Sequence, residues 1–236
     1  MTRTLVLVHT IPLLVGAFAG WCAELLPGTR VLHVLDEPML DRIKRRPGGL
    51  TTAEDAEHLA GHLAVAEAIG ADAVLVTCST VSLCVDAVRD RFAIPVVKID
   101  EAMAAEAVRS GPRIAVVATA PTTLEPSRAL LAAEAARSDR SVEITLRLVD
   151  GALPALLAGD GGTHDALVED AVREEAARAD VVVLAQATMA RALAVLAGRP
   201  VPVPVLASPQ LALAEIGRIL AERDGAPGPS PTRGAP

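Results

Sequence analysis

The sequence predicts an α/β protein of two similar lobes, each a parallel sheet flanked by helices, with a ligand site in the cleft between them. Three observations carry that expectation. Short Val/Leu/Ile runs alternate with segments of helical character from Thr4 onward, the order that gives a parallel sheet with helices packed on it. The pattern then restarts. Arg113-Ile114-Ala115-Val116-Val117-Ala118-Thr119-Ala120-Pro121 lines up with Thr4-Leu5-Val6-Leu7-Val8-His9-Thr10-Ile11-Pro12. Ala179 to Thr188 lines up with Ala71 to Thr80, and Val203-Pro204-Val205-Leu206 with Ile94-Pro95-Val96-Val97. All three matches have an offset of 108 or 109 residues and keep one order, which points to an internal duplication. Finally, 51% hydrophobic residues with 22% charged ones are ample for a globular core, built from Ala, Val and Leu because Phe18, Trp21 and Phe92 are the only aromatics.

In chain order, Thr4 to Val8 reads as a buried strand ending at His9-Thr10-Ile11-Pro12, and a helix follows from about Leu13 to Leu26, stopped by Pro27-Gly28. Arg30 to Leu35 is a second strand, closing on Asp36-Glu37-Pro38. Asp41 to Gly49, with Lys44, Arg45 and Arg46 ahead of Pro47-Gly48-Gly49, reads as a mobile, solvated connection rather than a lid for an anionic substrate. Thr51 or Thr52 caps a helix through Ile69 with Leu59, Leu63, Ala66 and Ile69 facing inward, and Gly70 ends it. A strand at Ala73 to Val76, a turn at 77–80, a helix to about Phe92 and a strand from Ile94 to Ile99 complete the first lobe. The expected boundaries are 1–100 for that lobe, 101–206 for the second, a closing helix at 207–224 returning to the first, and a disordered tail at 225–236, which holds four Pro and three Gly.

Ligands of open parallel sheets bind outside the carboxyl ends of the strands. Facing lobes therefore bring Thr10 and Thr119 to the cleft as one pair, and Cys78 and Gln186 as another. Cys78 lies where a strand feeds a helix, so the N-terminal N–H groups and the dipole favour its thiolate. Ser79, Thr80, Thr119, Thr122, Thr123 and Thr188 stand in such turns, where hydroxyls either hold a carboxylate or simply cap. His9 ends the first strand; it either reaches the cleft floor, to assist Cys78 or act as acid/base, or is a hydrogen-bonded structural histidine. Cys22 and Cys84 read as core.

The Thr-Cys-Ser-Thr turn at 77–80, Ala-Thr-Ala-Pro-Thr-Thr-Leu at 118–124 and Ala185-Gln186-Ala187-Thr188-Met189 resemble the aspartate/glutamate/hydantoin racemase family over roughly residues 4–220. The resemblance implies flavodoxin-like lobes and a reaction at the α-carbon of a small carboxylate of the amino acid or hydantoin type, without metal, pyridoxal phosphate or nucleotide. Family members use one cysteine from each lobe, one removing the α-proton as thiolate and the other returning a proton from the opposite face. The carboxylate is held by turn N–H groups and hydroxyls, matching Ser79, Thr80, Thr122 and Thr123. Cys78 stands at the first cysteine position, but Gln186 occupies the second. A glutamine amide donates and accepts hydrogen bonds but does not shuttle a proton near neutral pH. It could serve as an oxyanion donor for an enediolate. The single-cysteine arylmalonate decarboxylases are similar, although their cysteine lies in the other lobe. The expected catalytic set is therefore Cys78, His9 and Gln186. The readings are a racemase or isomerase first, a decarboxylase or lyase second, and a catalytically silent binding protein third.

A net charge of −7 and the scarcity of aromatics argue against nucleic acid. No apolar run is long enough to span a bilayer, and three cysteines do not make a disulfide framework, so a cytoplasmic setting is expected. His58 and His62 have the i, i+4 spacing of some zinc helices, but the sequence reveals no third ligand, and no metal is expected. The expected partner is a small-molecule carboxylate, with homo-oligomerisation left open.

Overall fold

The computed structural model describes residues 2–225. The first sheet holds β1 (Thr4–His9), β2 (Arg30–Leu35), β3 (Ala73–Val76) and β4 (Val96–Lys98) in the order β2-β1-β3-β4. The second repeats it with β5 (Arg113–Ala118), β6 (Glu143–Leu148), β7 (Val181–Leu184) and β8 (Val205–Ala207) in the order β6-β5-β7-β8. Every ladder is parallel. The α/β class and the duplication expected from sequence are what the chain adopts. The central strands β3 and β7 are buried throughout, which is why they read as unbroken apolar runs. The edge strand β6 leaves Glu143, Thr145, Leu146 and Arg147 exposed, so polar and charged residues are tolerated there.

One pair of side chains shows the repeat at atomic level. Asp72 accepts from the N–H of Thr4 at 2.8 Å and pairs with Arg3. Asp180, its match, accepts from the N–H of Arg113 at 2.9 Å and pairs with the Arg113 guanidinium. Each acid satisfies the otherwise unpaired first N–H of its lobe's central strand.

The helix after the last strand of each lobe crosses to the other. From α5 (Glu101–Ser110), Met103, Ala104, Ala107 and Val108 pack with Ile114 and Val116 of β5 and Val181 and Val183 of β7. From α10 (Ser208–Gly225), Ala212, Leu213, Ile216 and Leu220 pack with Leu5, Leu7 and Leu75 of the first sheet. This exchange ties the lobes together around the cleft. On the same face of the first sheet, beside α10, α1 (Leu13–Leu25) buries Phe18, whose ring meets Trp21 edge-on at 5.2 Å.

Two sequence expectations change. The segment read as a mobile connection is α2 (Glu37–Lys44) followed by a 3-10 turn at Pro47–Gly49. Asp36 is its N-cap, accepting from the N–H of Met39 at 3.0 Å, and Pro38 falls in the first turn, where its missing N–H is harmless. Met39, Leu40 and Ile43 are buried, while Arg42 and Arg46 turn to Asp55, a fully buried carboxylate. Burial opposes ionisation of Asp55, but hydrogen bonds from Arg46, Arg42 and Thr52 outweigh it and hold the carboxyl well below the usual range. Asp55 also closes a capping box with Thr52 at the start of α3 (Ala53–Ala68). The inward face of α3 is Leu59, Leu63 and Ala66 as expected, but Ile69 caps the helix and is 53% exposed. Of the expected tail, Gly225 ends α10, and 226–236 lie outside the described residues. Among the described residues no helix is long and apolar enough to cross a membrane.

Candidate active site

The carboxyl ends of β1, β3, β5 and β7 meet at a cavity of about 40 Å³ between the lobes. A volume of this size holds about three waters, so it suits only a small ligand unless the lobes part. Of the residues expected at the site, Thr10, Cys78, Ser79, Thr80, Thr122, Thr123, Gln186 and Thr188 all line it. The lobes touch where the Thr80 and Thr122 hydroxyls lie 3.3 Å apart.

Cys78 follows β3 in extended conformation and precedes a 3-10 turn at Ser79–Val81, which leads into α4 (Ser82–Val88). The chain turns sharply there because Val81 N–H bonds to the Cys78 carbonyl at 3.1 Å. The thiol's environment differs from the sequence expectation. Burial is the largest influence and pushes its pKa up. The Thr10 and Thr80 hydroxyls and the N–H groups of Thr80 and Val81 pull the other way without overcoming it. The physical reason is that α4 has only seven residues behind a 3-10 turn, a weak dipole set against nearly complete desolvation. Burial thus favours the neutral thiol at Cys78. The Thr10 hydroxyl leans toward the sulfur without completing a hydrogen bond, and the hydroxyls of Thr10 and Thr188 are buried without a partner among the described residues. Such orphans on a cavity wall are the groups a bound anion satisfies.

Gln186 holds the equivalent position after β7. Its Oε1 accepts from the Thr119 N–H at 2.6 Å and from the Thr119 hydroxyl at 3.2 Å. A backbone N–H only donates, so the contact fixes the amide's orientation with oxygen toward Thr119. The Nε2 group is left to donate into the cavity. Thr119 itself does not line the cavity; it orients Gln186. The Thr123 hydroxyl donates to the Ala120 carbonyl at 2.8 Å, which folds the 3-10 turn at Pro121–Thr123 ahead of α6 (Leu124–Arg137).

His9 does not reach the cavity. Its side chain is fully buried behind the Thr77 wall, with Nδ1 2.8 Å from Thr77 Oγ1 and Nε2 2.9 Å from His33 Nδ1. Thr77 Oγ1 donates to the Val8 carbonyl at 3.1 Å, so it accepts from His9 Nδ1–H, and His9 Nε2 in turn accepts from His33. Both ring nitrogens are thereby used by the neutral imidazole. Burial, and then the neighbouring His33, lower the His9 pKa to about 4. This is the hydrogen-bonded structural histidine of the two readings. Cys22 and Cys84 are buried in the core, and burial raises each thiol to about 11.

Two charged residues stand at or behind the site besides those expected there. Lys44 of α2 lines the cavity and brings a cation to it, although its basic run reads as a solvated loop. Asp100, at the N-cap of α5, lies behind Ser79; it accepts from Ser82 Oγ at 3.1 Å, and burial raises its pKa to about 6. The available signal was its place just past β4, where the chain enters α5.

A family model described as Asp/Glu/Hydantoin racemase matches residues 18–216. The chain belongs to that family. The allantoin racemase of Klebsiella pneumoniae has the same fold, with a TM-score of 0.71 at 21% identity over 94% of this chain and 89% of that one. So does the glutamate racemase isoform RacE1 of Bacillus anthracis, with a TM-score of 0.70 at 16% identity over 94% of this chain and 82% of that one. The aspartate racemase of Picrophilus torridus gives 0.69 at 12% identity over 94% of each chain. No curated protein sequence matches the chain. These likenesses establish the two-lobe architecture, and family membership points to racemase-type chemistry.

Proposed function

We propose that this chain is a cofactor-independent enzyme acting at the α-carbon of a small carboxylate, of the amino acid or hydantoin type, with Cys78 as the acid/base thiol. The observation that carries the reading is the pairing of Cys78 and Gln186 on equivalent turns, lining one cavity. On the racemase route the Cys78 thiol first gives its proton to solvent in the cleft and, as thiolate, then takes the α-proton. The electron pair of the C–H bond moves into the carboxylate, giving an enediolate. Gln186 Nε2–H, the orphan hydroxyls of Thr10 and Thr188, and the turn N–H groups stabilise its oxygens, as donors set in place beforehand do. Lys44 adds a positive charge at the rim. Reprotonation from the other face falls to a water in the cleft, because both His9 nitrogens are engaged elsewhere.

A second reading, a decarboxylase or lyase, is favoured by the state of the thiol. A carboxylate leaving as carbon dioxide generates the same enediolate with no base required, and a thiol kept neutral by burial is ready to donate its proton to one face. The two routes separate by product. Enantiopure amino acids and hydantoins, followed by chiral chromatography, reveal racemisation. Substituted malonates, followed by carbon dioxide release, reveal the lyase. Neither product from any of them, with ligands still binding, would overturn both readings in favour of a silent binding protein.

A further inference from the structure

Outside the cleft, three side chains from two elements converge on one point. Asp36 ends β2 and caps α2, while His58 and His62 stand one turn apart on α3. The sequence shows the histidine pair without a third ligand; folding supplies it from 22 residues away in the chain. His58 Nε2 lies 2.6 Å and His62 Nε2 2.7 Å from the same oxygen, Asp36 Oδ2. The two rings are nearly perpendicular, at 88° with centroids 5.2 Å apart, so their nitrogens approach that oxygen from different directions. Asp36 Oδ1 is occupied by the N–H of Met39 at 3.0 Å, which holds the carboxylate still and leaves Oδ2 to the histidines. Asp36 is buried, whereas the His58 and His62 side chains are 42% and 27% exposed, so one side of the cluster is open to solvent. A buried, oriented carboxylate with two imidazoles and an open flank has the makings of a three-ligand metal site.

We propose that Asp36, His58 and His62 bind one divalent transition-metal ion of the zinc, cobalt or nickel type through Oδ2 and the two Nε2 atoms, with water completing its coordination. Imidazole donors favour these ions over magnesium and calcium. Bonds of about 2.0–2.1 Å in a tetrahedral arrangement place ligand atoms about 3.3 Å apart, so the histidines need to back away from Oδ2 by only about 0.6 Å. Each imidazole presents an unprotonated Nε2 to the ion, and no redox change is involved. The site clasps the start of α2 to α3. Since Leu40 and Lys44 of α2 line the cleft, the ion also fixes one wall of the cavity.

The test uses tag-free full-length protein stripped with EDTA and titrated with Co²⁺, read by its visible d–d bands, and with Zn²⁺, read by calorimetry and thermal midpoint. The site predicts one ion per chain and a rise in midpoint with Zn²⁺. Asp36→Asn keeps a competent helix cap, and His58→Gln and His62→Gln keep a polar group toward Asp36, so all three variants should match wild type in midpoint when EDTA is present. Each should weaken binding by more than the about 10–100-fold typical of losing a supporting partner. Absence of saturable binding, binding unchanged in the three variants, or a sulfur-to-cobalt charge-transfer band abolished by Cys78→Ala would overturn the assignment.

Discussion

Replacing His9 with Gln tests the buried His33–His9–Thr77 chain directly. A glutamine amide can donate toward Thr77 and accept from His33 but does not titrate. In the wild type, protonating His9 puts an N–H where His33 already donates, inside a buried site. The His9 pKa therefore falls from its ordinary 6.5 to about 4. The sign follows from proton counting: between these values the unfolded chain binds the proton and the folded one does not. The stabilisation from keeping His9 neutral is complete above 6.5 and is lost as pH falls through about 4. The full difference is about 3 kcal/mol, of which about 2.5 kcal/mol is gone at about pH 4.5. Asp100 works in the opposite sense. Its pKa, raised to about 6, makes the folded state less stable as pH rises through that range, and it titrates in both proteins. Urea unfolding of wild type and His9→Gln at about pH 7.5 and about pH 4.5 isolates the histidine. The variant should be less stable at the higher pH, through weaker packing on Phe18, which wild-type His9 meets at 5.5 Å. Its further loss on acidification should be smaller than that of wild type by about 2.5 kcal/mol. Parallel losses in the two proteins would refute the buried neutral histidine.

Two other substitutions address the cleft. Gln186→Glu retains an oxygen for the Thr119 N–H but removes the Nε2 donor, so kcat/KM on whichever substrate turns over should fall about 10²–10³-fold with little change in thermal midpoint; unchanged kinetics would remove Gln186 from the chemistry. Gly49 has φ +62°, and a Cβ there would sit 2.4 Å from Thr122 Cγ2. Gly49→Ala should therefore destabilise by about 1–3 kcal/mol and loosen the contact between the α2 turn and the second lobe, measurable by chemical denaturation. A neutral result would mean the two segments separate freely.

The fold was legible because β1, β3, β5 and β7 are buried on both faces, which leaves unbroken apolar runs, and because the duplicated segments repeat their turns along with their strands. The cleft followed from topology, since parallel strands end on one side. What the sequence hid depends on tertiary environment. Pro38 reads as the close of β2 and the basic run at 44–46 as a solvated connection, although proline falls in the first turn of α2, and Arg42 and Arg46 find Asp55. A strand buried on both faces does not reveal which way its last residue turns, so whether His9 entered the cleft was undetermined. Local sequence also showed the helix end beside Cys78 but not the burial that outweighs it. Asp36 joined His58 and His62 only through the pairing of β2 with β1 and the placement of α3.

The proposed function rests on proton exchange between Cys78 and a substrate α-carbon. The most direct measurement is proton NMR in deuterium oxide with a panel of amino acids, hydantoins and substituted malonates, comparing wild type with Cys78→Ser. Wild type should exchange solvent deuterium into the α-position of at least one compound, and the variant should be slower by about 10²–10⁴-fold while folded and still binding it. Exchange at equal rates in both proteins would contradict the proposed function.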